Sequence, residues 1–251
     1  MKVKSILISQ PAPADLEKSP YTRLVEKYNL EIDYKKFIKV EGVGSKEFRE
    51  SKISLPDFSA VIFTSKQSVD HYFRIAKELR FNVPESMKYF CLNEATAFYL
   101  QNYVQFRKRK IFNGNQNFDE LLDLMKRYKN EKFIYPCSDG HKPEIPNKLT
   151  EQDFDYKSAI LYRTIAADLS HLDIDKYEML VFFSPAGVQS LFDNFPEYVQ
   201  GERAIATFGD TTAKAAKDLG LDVTIEAPSK EFPSMSMAID DFIYEQRKRK
   251  R

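Results

Sequence analysis

Four turns in this chain of 251 residues bring small hydroxyl or amide residues to the start of a helix-like stretch. They are Thr64-Ser65-Lys66, Asn93-Glu94-Ala95-Thr96, Ser184-Pro185-Ala186-Gly187 and Gly209-Asp210-Thr211-Thr212. The first and third each follow an apolar run and precede apolar residues spaced by four, Val69/Phe73 and Val188/Phe192. A serine there caps a helix with its side-chain oxygen, and the positive end of the helix dipole then faces outward. Carboxylates and phosphates suit such a site. A plain N-cap accounts for either serine alone, whereas two in matching surroundings point toward ligand contact. Gly209 permits a tight turn and close backbone approach, and the Thr211 and Thr212 hydroxyls can donate to an anion. The Lys-Ser/Thr of a nucleoside-triphosphate loop is missing there.

Groups that could move a proton are scarce. His71, His141 and His171 share no spacing, and no Ser/His/Asp set, Cys/His pair or metal cluster can be assembled. Cys91 and Cys137 fall in separate strand-like runs and read as small, buried, reduced thiols. Tyr162 stands beside Arg163 in a long extended segment, where a tyrosine is ordinarily packing. Chemistry built on these residues would rest on shape, positioning and backbone donors.

The elements that must position these turns occur twice. Val61-Ile62-Phe63-Thr64-Ser65 with the following helix is echoed by Val181-Phe182-Phe183-Ser184-Pro185, and Leu92–Ala97 by Phe208–Ala213. Shared order implies two similar units. Apolar runs at Val3–Ser9, Ala60–Thr64, Tyr89–Leu92, Lys132–Tyr135, Met179–Phe183 and Arg203–Phe208 read as strands covered on both faces. Helices lie between them, one capped at Ser19-Pro20 and another stopped at Gly220. The fold class expected is α/β: two similar parallel-sheet domains with flanking helices, joined by a two-stranded antiparallel linker, one domain inserted in the other. Residues 1–35 with 167–245 form the discontinuous first domain and 41–155 the inserted one. Residues 36–40 and 156–166 are the linker strands, and 246–251 a solvated basic tail.

Lys+Arg (38) and Asp+Glu (37) nearly cancel, so no global field draws the chain to nucleic acid. The 43% hydrophobic content excludes a mostly disordered chain. No run approaches the ~20 apolar residues needed to span a bilayer, and the apolar start is too short for a signal sequence. A soluble, cytoplasmic protein is expected.

In their order and spacing these segments resemble the uroporphyrinogen-III synthase family. The likeness runs through Thr64-Ser65, Thr96-Ala97, Leu161-Tyr162-Arg163-Thr164, Phe183-Ser184-Pro185-Ala186-Gly187-Val188 and Phe208–Ala213. It continues into Leu219-Gly220-Leu221-Asp222-Val223 and Ala227-Pro228-Ser229. The resemblance implies a cofactor-free and metal-free lyase that cyclises the linear tetrapyrrole hydroxymethylbilane with loss of water and inversion of ring D; a monomer is expected. The substrate's eight carboxylates would give amide-rich helix starts a purpose. It also implies that Tyr162 assists departure of the substrate hydroxyl. Thr64, Ser65, Lys66, Thr96, Ser184, Pro185, Ala186, Gly187, Gly209, Thr211 and Thr212 would bind substrate. Three segments depart from the family pattern. Ile8-Ser9-Gln10-Pro11 replaces Thr-Arg-Pro, Asn93-Glu94-Ala95-Thr96-Ala97 replaces Gly-Glu-Lys-Thr-Ala, and Pro143-Glu144-Ile145-Pro146 reads as a proline-broken run.

The alternative is a non-catalytic two-domain module closing on a tetrapyrrole or another polyanion, with Lys66, Arg163 and Lys214 as cationic anchors. A weaker one is a nucleic-acid binder using Arg107-Lys108-Arg109-Lys110 and the tail, which lack interleaved aromatics. The leading expectation is a small-molecule enzyme with neither nucleic-acid nor membrane partners.

Overall fold

The computed structural model describes residues 3–105, 107, 109–115 and 117–248. The chain opens with β1 (Ser5–Ile8), α1 (Thr22–Tyr28), β2 (Glu31–Tyr34) and β3 (Ile38–Gly42). It continues with α2 (Ser45–Glu50), β4 (Ala60–Phe63), α3 (Lys66–Glu78), β5 (Lys88–Cys91), α4 (Glu94–Tyr99) and β6 (Ile111–Asn113). Next come α5 (Phe118–Met125), β7 (Phe133–Ser138), α6 (Glu144–Glu151) and β8 (Tyr156–Ala166). The last elements are β9 (Met179–Phe182), α7 (Pro185–Asn194), β10 (Ala204–Phe208), α8 (Asp210–Asp218), β11 (Val223–Ala227) and α9 (Met235–Lys248).

Two compact units result. One takes the chain up to Lys39 and again from Ile165 onward; the other is Val40–Thr164. The first holds a sheet in the order β11-β10-β9-β1-β2, all parallel. Its strands alternate between two cores, as buried parallel strands must. Ile6, Ile8, Val181 and Ala206 pack with Leu24 of α1 and Ile239 and Ile243 of α9. Leu7, Leu180, Phe182 and Ile205 pack with Val188 and Leu191 of α7 and Ala216 of α8.

The second unit holds the order β3-β8-β7-β4-β5-β6, with β8 to β6 parallel. Val61, Phe63, Tyr89 and Ile134 pack with Val69, Tyr72 and Ile75 of α3. Ala60, Ile62, Phe90 and Phe133 pack with Leu121, Leu122 and Met125 of α5 and Leu149 of α6.

Several local expectations need correction. Helix α1 starts after Tyr21, not at Ser19-Pro20; the Ser19 hydroxyl bonds the Tyr34 hydroxyl at 2.8 Å. The strand expected at 36–40 is β3, shifted to Ile38–Gly42 and bordering the second sheet, while Glu31–Tyr34 forms β2 at the edge of the first. Residues 156–162, expected in a linker strand, pair with β7 as part of one sheet. Pro143 and Pro146 do not break a helix: Pro143 precedes α6 and Pro146 lies in its first turn, where a missing amide costs no intrahelical bond. Residues 246–248 continue α9, and Arg247 donates to the Tyr28 carbonyl at 2.6 Å, so this part of the tail is docked. Residues 249–251 and Lys108 lie outside the described residues. Gly220, by contrast, ends α8 as expected. At φ +83° it lets Leu221 donate to the Ala216 carbonyl and its own amide to Lys217.

Candidate functional site

In open parallel sheets, ligands gather beyond the carboxyl ends of the strands where the strand order reverses. In the Val40–Thr164 unit that point lies between β4 and β7, since the chain runs from β4 outward to β6 and returns to β7 on the other side. The Thr64-Ser65 turn leaves β4 there. Ser65 accepts from the Ser68 amide at 3.1 Å, and the Ser68 hydroxyl receives the Ser65 amide at 3.2 Å, a reciprocal capping box. The first turn of α3 carries no acid, and Lys66 extends over the Tyr99 ring, 5.4 Å from its centroid. No acid of the first turn opposes the helix dipole here, and Lys66 adds a positive charge at the same turn.

The Asn93 turn after β5 is built differently. Asn93 caps α4 through the Thr96 amide at 2.9 Å, but Glu94 stands in the first turn and already takes the dipole's positive end. Thr96 is buried, so it packs instead of lining a surface.

Tyr162 reaches this end of the sheet through a β-bulge. The β7–β8 register pairs Cys137 with Ile160 and then Ser138 with Tyr162, leaving Leu161 as the extra residue. Side chains alternate along a strand, so a regular β8 would send Tyr162 to the same face as the exposed Ile160. The bulge turns it instead to the α3 face with Ala159 and Leu161. There its ring lies flat on the His71 imidazole, centroids 4.8 Å apart and planes inclined 18°. Only 8% of Tyr162 remains exposed. Burial raises its phenol pKa above the ordinary value, the Ser65 side chain pulls it the other way, and nearby Cys137 adds slightly to the rise. The phenol thus stays protonated at neutral pH and can donate a hydrogen bond. Burial likewise pushes Tyr135 up to about 12, against the pull of the Thr64 side chain.

The remaining titratable groups do not join this set. His141 turns its Nδ1 to the Ser138 carbonyl at 2.7 Å, and His171 sits beside the Ser170 hydroxyl. Arg163 is paired with Glu47. Both cysteine thiols are buried and pushed up to about 12, which leaves them unreactive. Among the described residues no cluster of His, Cys, Asp and Glu could hold a metal ion, and no helix is long and apolar enough to cross a membrane.

In the other unit the strand order reverses between β1 and β9. Ser184 follows β9 and accepts from the Gly187 amide at 3.1 Å; the first turn of α7 again has no acid. Gly187 is buried, and a Cβ there would come within 3.3 Å of the Ser184 Oγ and 3.7 Å of the Ser9 Oγ. Glycine thus leaves room for the cap beside the Ser9 turn that replaces the family's Thr-Arg-Pro. Pro185 fills N1 without cost and is exposed, while Ala186 is half-buried. After β10, Gly209 takes φ +91° at the start of α8, but Asp210 already occupies that dipole. Thr211 is exposed and Thr212 is buried, so only the first of the two threonines can meet a ligand.

Sequence reasoning missed His71 and Arg74. The spacing from Ser65 puts His71 on α3, but nothing in the pattern foretells a stack that depends on a bulge in β8.

Comparison with known proteins bears on the whole arrangement. In fold the chain is similar to the uroporphyrinogen-III synthetase of Helicobacter pylori, with a TM-score of 0.54 and 17% identity over 96% of this chain and 99% of that one. It also matches a mutant uroporphyrinogen III synthase of Thermus thermophilus at a TM-score of 0.48 and 15% identity, covering 98% and 99% of the two chains. Among curated proteins no sequence matches significantly. Residues 37–236 match the family model described as uroporphyrinogen-III synthase HemD, well over half of the sequence. With the Ser-capped turns and the bulge-borne tyrosine inside the matched span, the chain belongs to the uroporphyrinogen-III synthase family.

Proposed function

We propose that Tyr162 assists hydroxyl departure from hydroxymethylbilane, while the starts of α3 and α7 hold substrate carboxylates. Membership makes the chain a cyclising lyase of heme biosynthesis. In that reaction a pyrrole nitrogen lone pair expels the terminal hydroxyl, the leaving oxygen takes up a proton and departs as water, and an azafulvene remains. Closure through a spiro intermediate then inverts ring D. A buried phenol with a raised pKa is suited to donate a hydrogen bond to the departing oxygen. The observation that carries this reading is the bulge that turns Tyr162 onto the α3 face, beside Ser65.

The binding set is narrower than the sequence suggests. Thr64, Ser65 and Lys66 in one unit, and Ser184, Pro185, Ala186, Gly187, Gly209 and Thr211 in the other, belong to turns at strand ends. Thr96 and Thr212 act from behind, filling the helix starts. Lys66→Gln is expected to raise KM several-fold with kcat held, the signature of lost ground-state binding. Steady-state kinetics read this, and an unchanged KM would remove the α3 start from carboxylate binding.

We also infer that β3 and β8 form a two-stranded antiparallel connection around an inserted Val40–Thr164 domain. Supporting this, Val43 donates to the Leu161 carbonyl and Ala167 to the Phe37 carbonyl, so partners run in opposite directions. A monomeric, cytoplasmic enzyme completes the reading.

A further inference from the structure

The stack on Tyr162 is itself held in place. Arg74, one turn along α3, donates from Nε to the His71 Nδ1 at 3.2 Å, which places the neutral ring's proton on Nε2. The same guanidinium donates to the carbonyls of Val43 at 2.8 Å and Leu161 at 3.1 Å, and pairs with Glu78. Leu161 is the extra residue of the bulge, and its carbonyl also receives the Val43 amide at 2.9 Å. One side chain therefore fixes both the residue before Tyr162 and the ring beneath it. Gly42 leaves the space for this. A Cβ at that position would stand 2.6 Å to 2.7 Å from three guanidinium atoms, and the flexible end of Arg74 would have to give way.

We propose that His71 and Arg74 are positioning residues for the Tyr162 phenol, with Gly42 supplying the room the guanidinium needs; this rests on the reading that Tyr162 assists hydroxyl departure. His71 supplies a flat surface that sets the ring plane. Arg74 keeps the imidazole oriented and the bulge closed. Neither touches the reacting atoms.

The test combines a spectroscopic and a kinetic measurement. With tyrosines labelled by 13C at Cζ, Tyr162→Phe identifies the Tyr162 resonance. His71→Ala and Gly42→Ala should each displace that resonance in an otherwise native spectrum. Each should also lower kcat by about tenfold with KM little changed, as expected for a misplaced group. Combined with Tyr162→Phe, either substitution should cause no further loss, because residues acting as a unit are not additive. A Tyr162 resonance unmoved in both variants, or losses that multiply in the double variants, would overturn the proposal. A wild-type rate in Tyr162→Phe would instead remove the tyrosine's own role, while the resonance would still report whether His71 and Arg74 hold it.

Discussion

The two sheets share one plan. Read across, β8-β7-β4-β5-β6 in one unit corresponds to β2-β1-β9-β10-β11 in the other, each with its chain reversal beside a Ser-capped helix. The corresponding helices, α3 and α7, even perform the same second task. Each binds two backbone carbonyls of its own unit, in or next to β3 and β8. Helix α7 does so with short neutral groups: the Ser190 hydroxyl donates to the Phe37 carbonyl and the Asn194 amide to the Ala167 carbonyl at 2.9 Å. Helix α3 uses the long cationic Arg74, which also reaches His71. Strand β8 is bulged and eleven residues long, whereas β2 has four residues in unbroken register with β1. Duplicated architecture thus supplies matching serine-capped helix starts, and a local irregularity in one copy turns Tyr162 onto the α3 face.

That difference can be pressed in order of expected effect. Tyr162→Phe should slow turnover about a hundredfold with the fold intact, the scale of one proton-donating group. Tyr34→Phe, at the end of β2, should leave the rate unchanged, since that hydroxyl bonds Ser19. Equal behaviour of the two tyrosines in steady-state assays would erase the contrast between the strands.

The clamp on α7 should matter mainly for stability. Asn194→Ala removes the donor to the Ala167 carbonyl and the acceptor of the Leu169 amide. A loss of about 2 kcal/mol is expected in urea denaturation, because partly buried partners are left unpaired. The two caps are closer to equivalent. Ser65→Ala and Ser184→Ala should each cost about 1 kcal/mol. A cost confined to one of them would show that the echo is only in sequence.

The smallest effect is in pH. Burial, then the charge of Arg74, lowers the His71 pKa below its ordinary 6.5, while Asp70 opposes the shift. The groups facing the imidazole are Arg74 and Asp70 from its own helix and Tyr162 from β8. With the folded value below the unfolded one, the neutral ring's contribution is present above the unfolded pKa and lost as pH falls through the folded pKa. Unfolding midpoints measured through the mildly acidic range should show this step in the wild type and lack it in His71→Phe.

Much of the scaffold was legible because parallel strands buried on both faces leave short apolar runs. β1, β4, β5, β7, β9 and β10 all announced themselves so, and Ser65 and Ser184 did through cap chemistry. Strand β6 did not: its three residues follow a basic run and give no periodicity. Thr96 and Thr212 could not be told from ligand contacts, because hydroxyl content does not say which side of a helix is covered. The bulge was invisible for a deeper reason. It is a property of the β7–β8 register, and only that register decides whether Tyr162 follows Ile160 outward or joins Leu161. Arg74 escaped for a similar reason, since two of its partners are backbone carbonyls distant in sequence.

The most direct test is product analysis with the full chain and freshly prepared hydroxymethylbilane. Chromatographic separation of the cyclised isomers should show type III formed at a rate that scales with protein. Only the spontaneous type I isomer, formed no faster than without protein, would contradict the account.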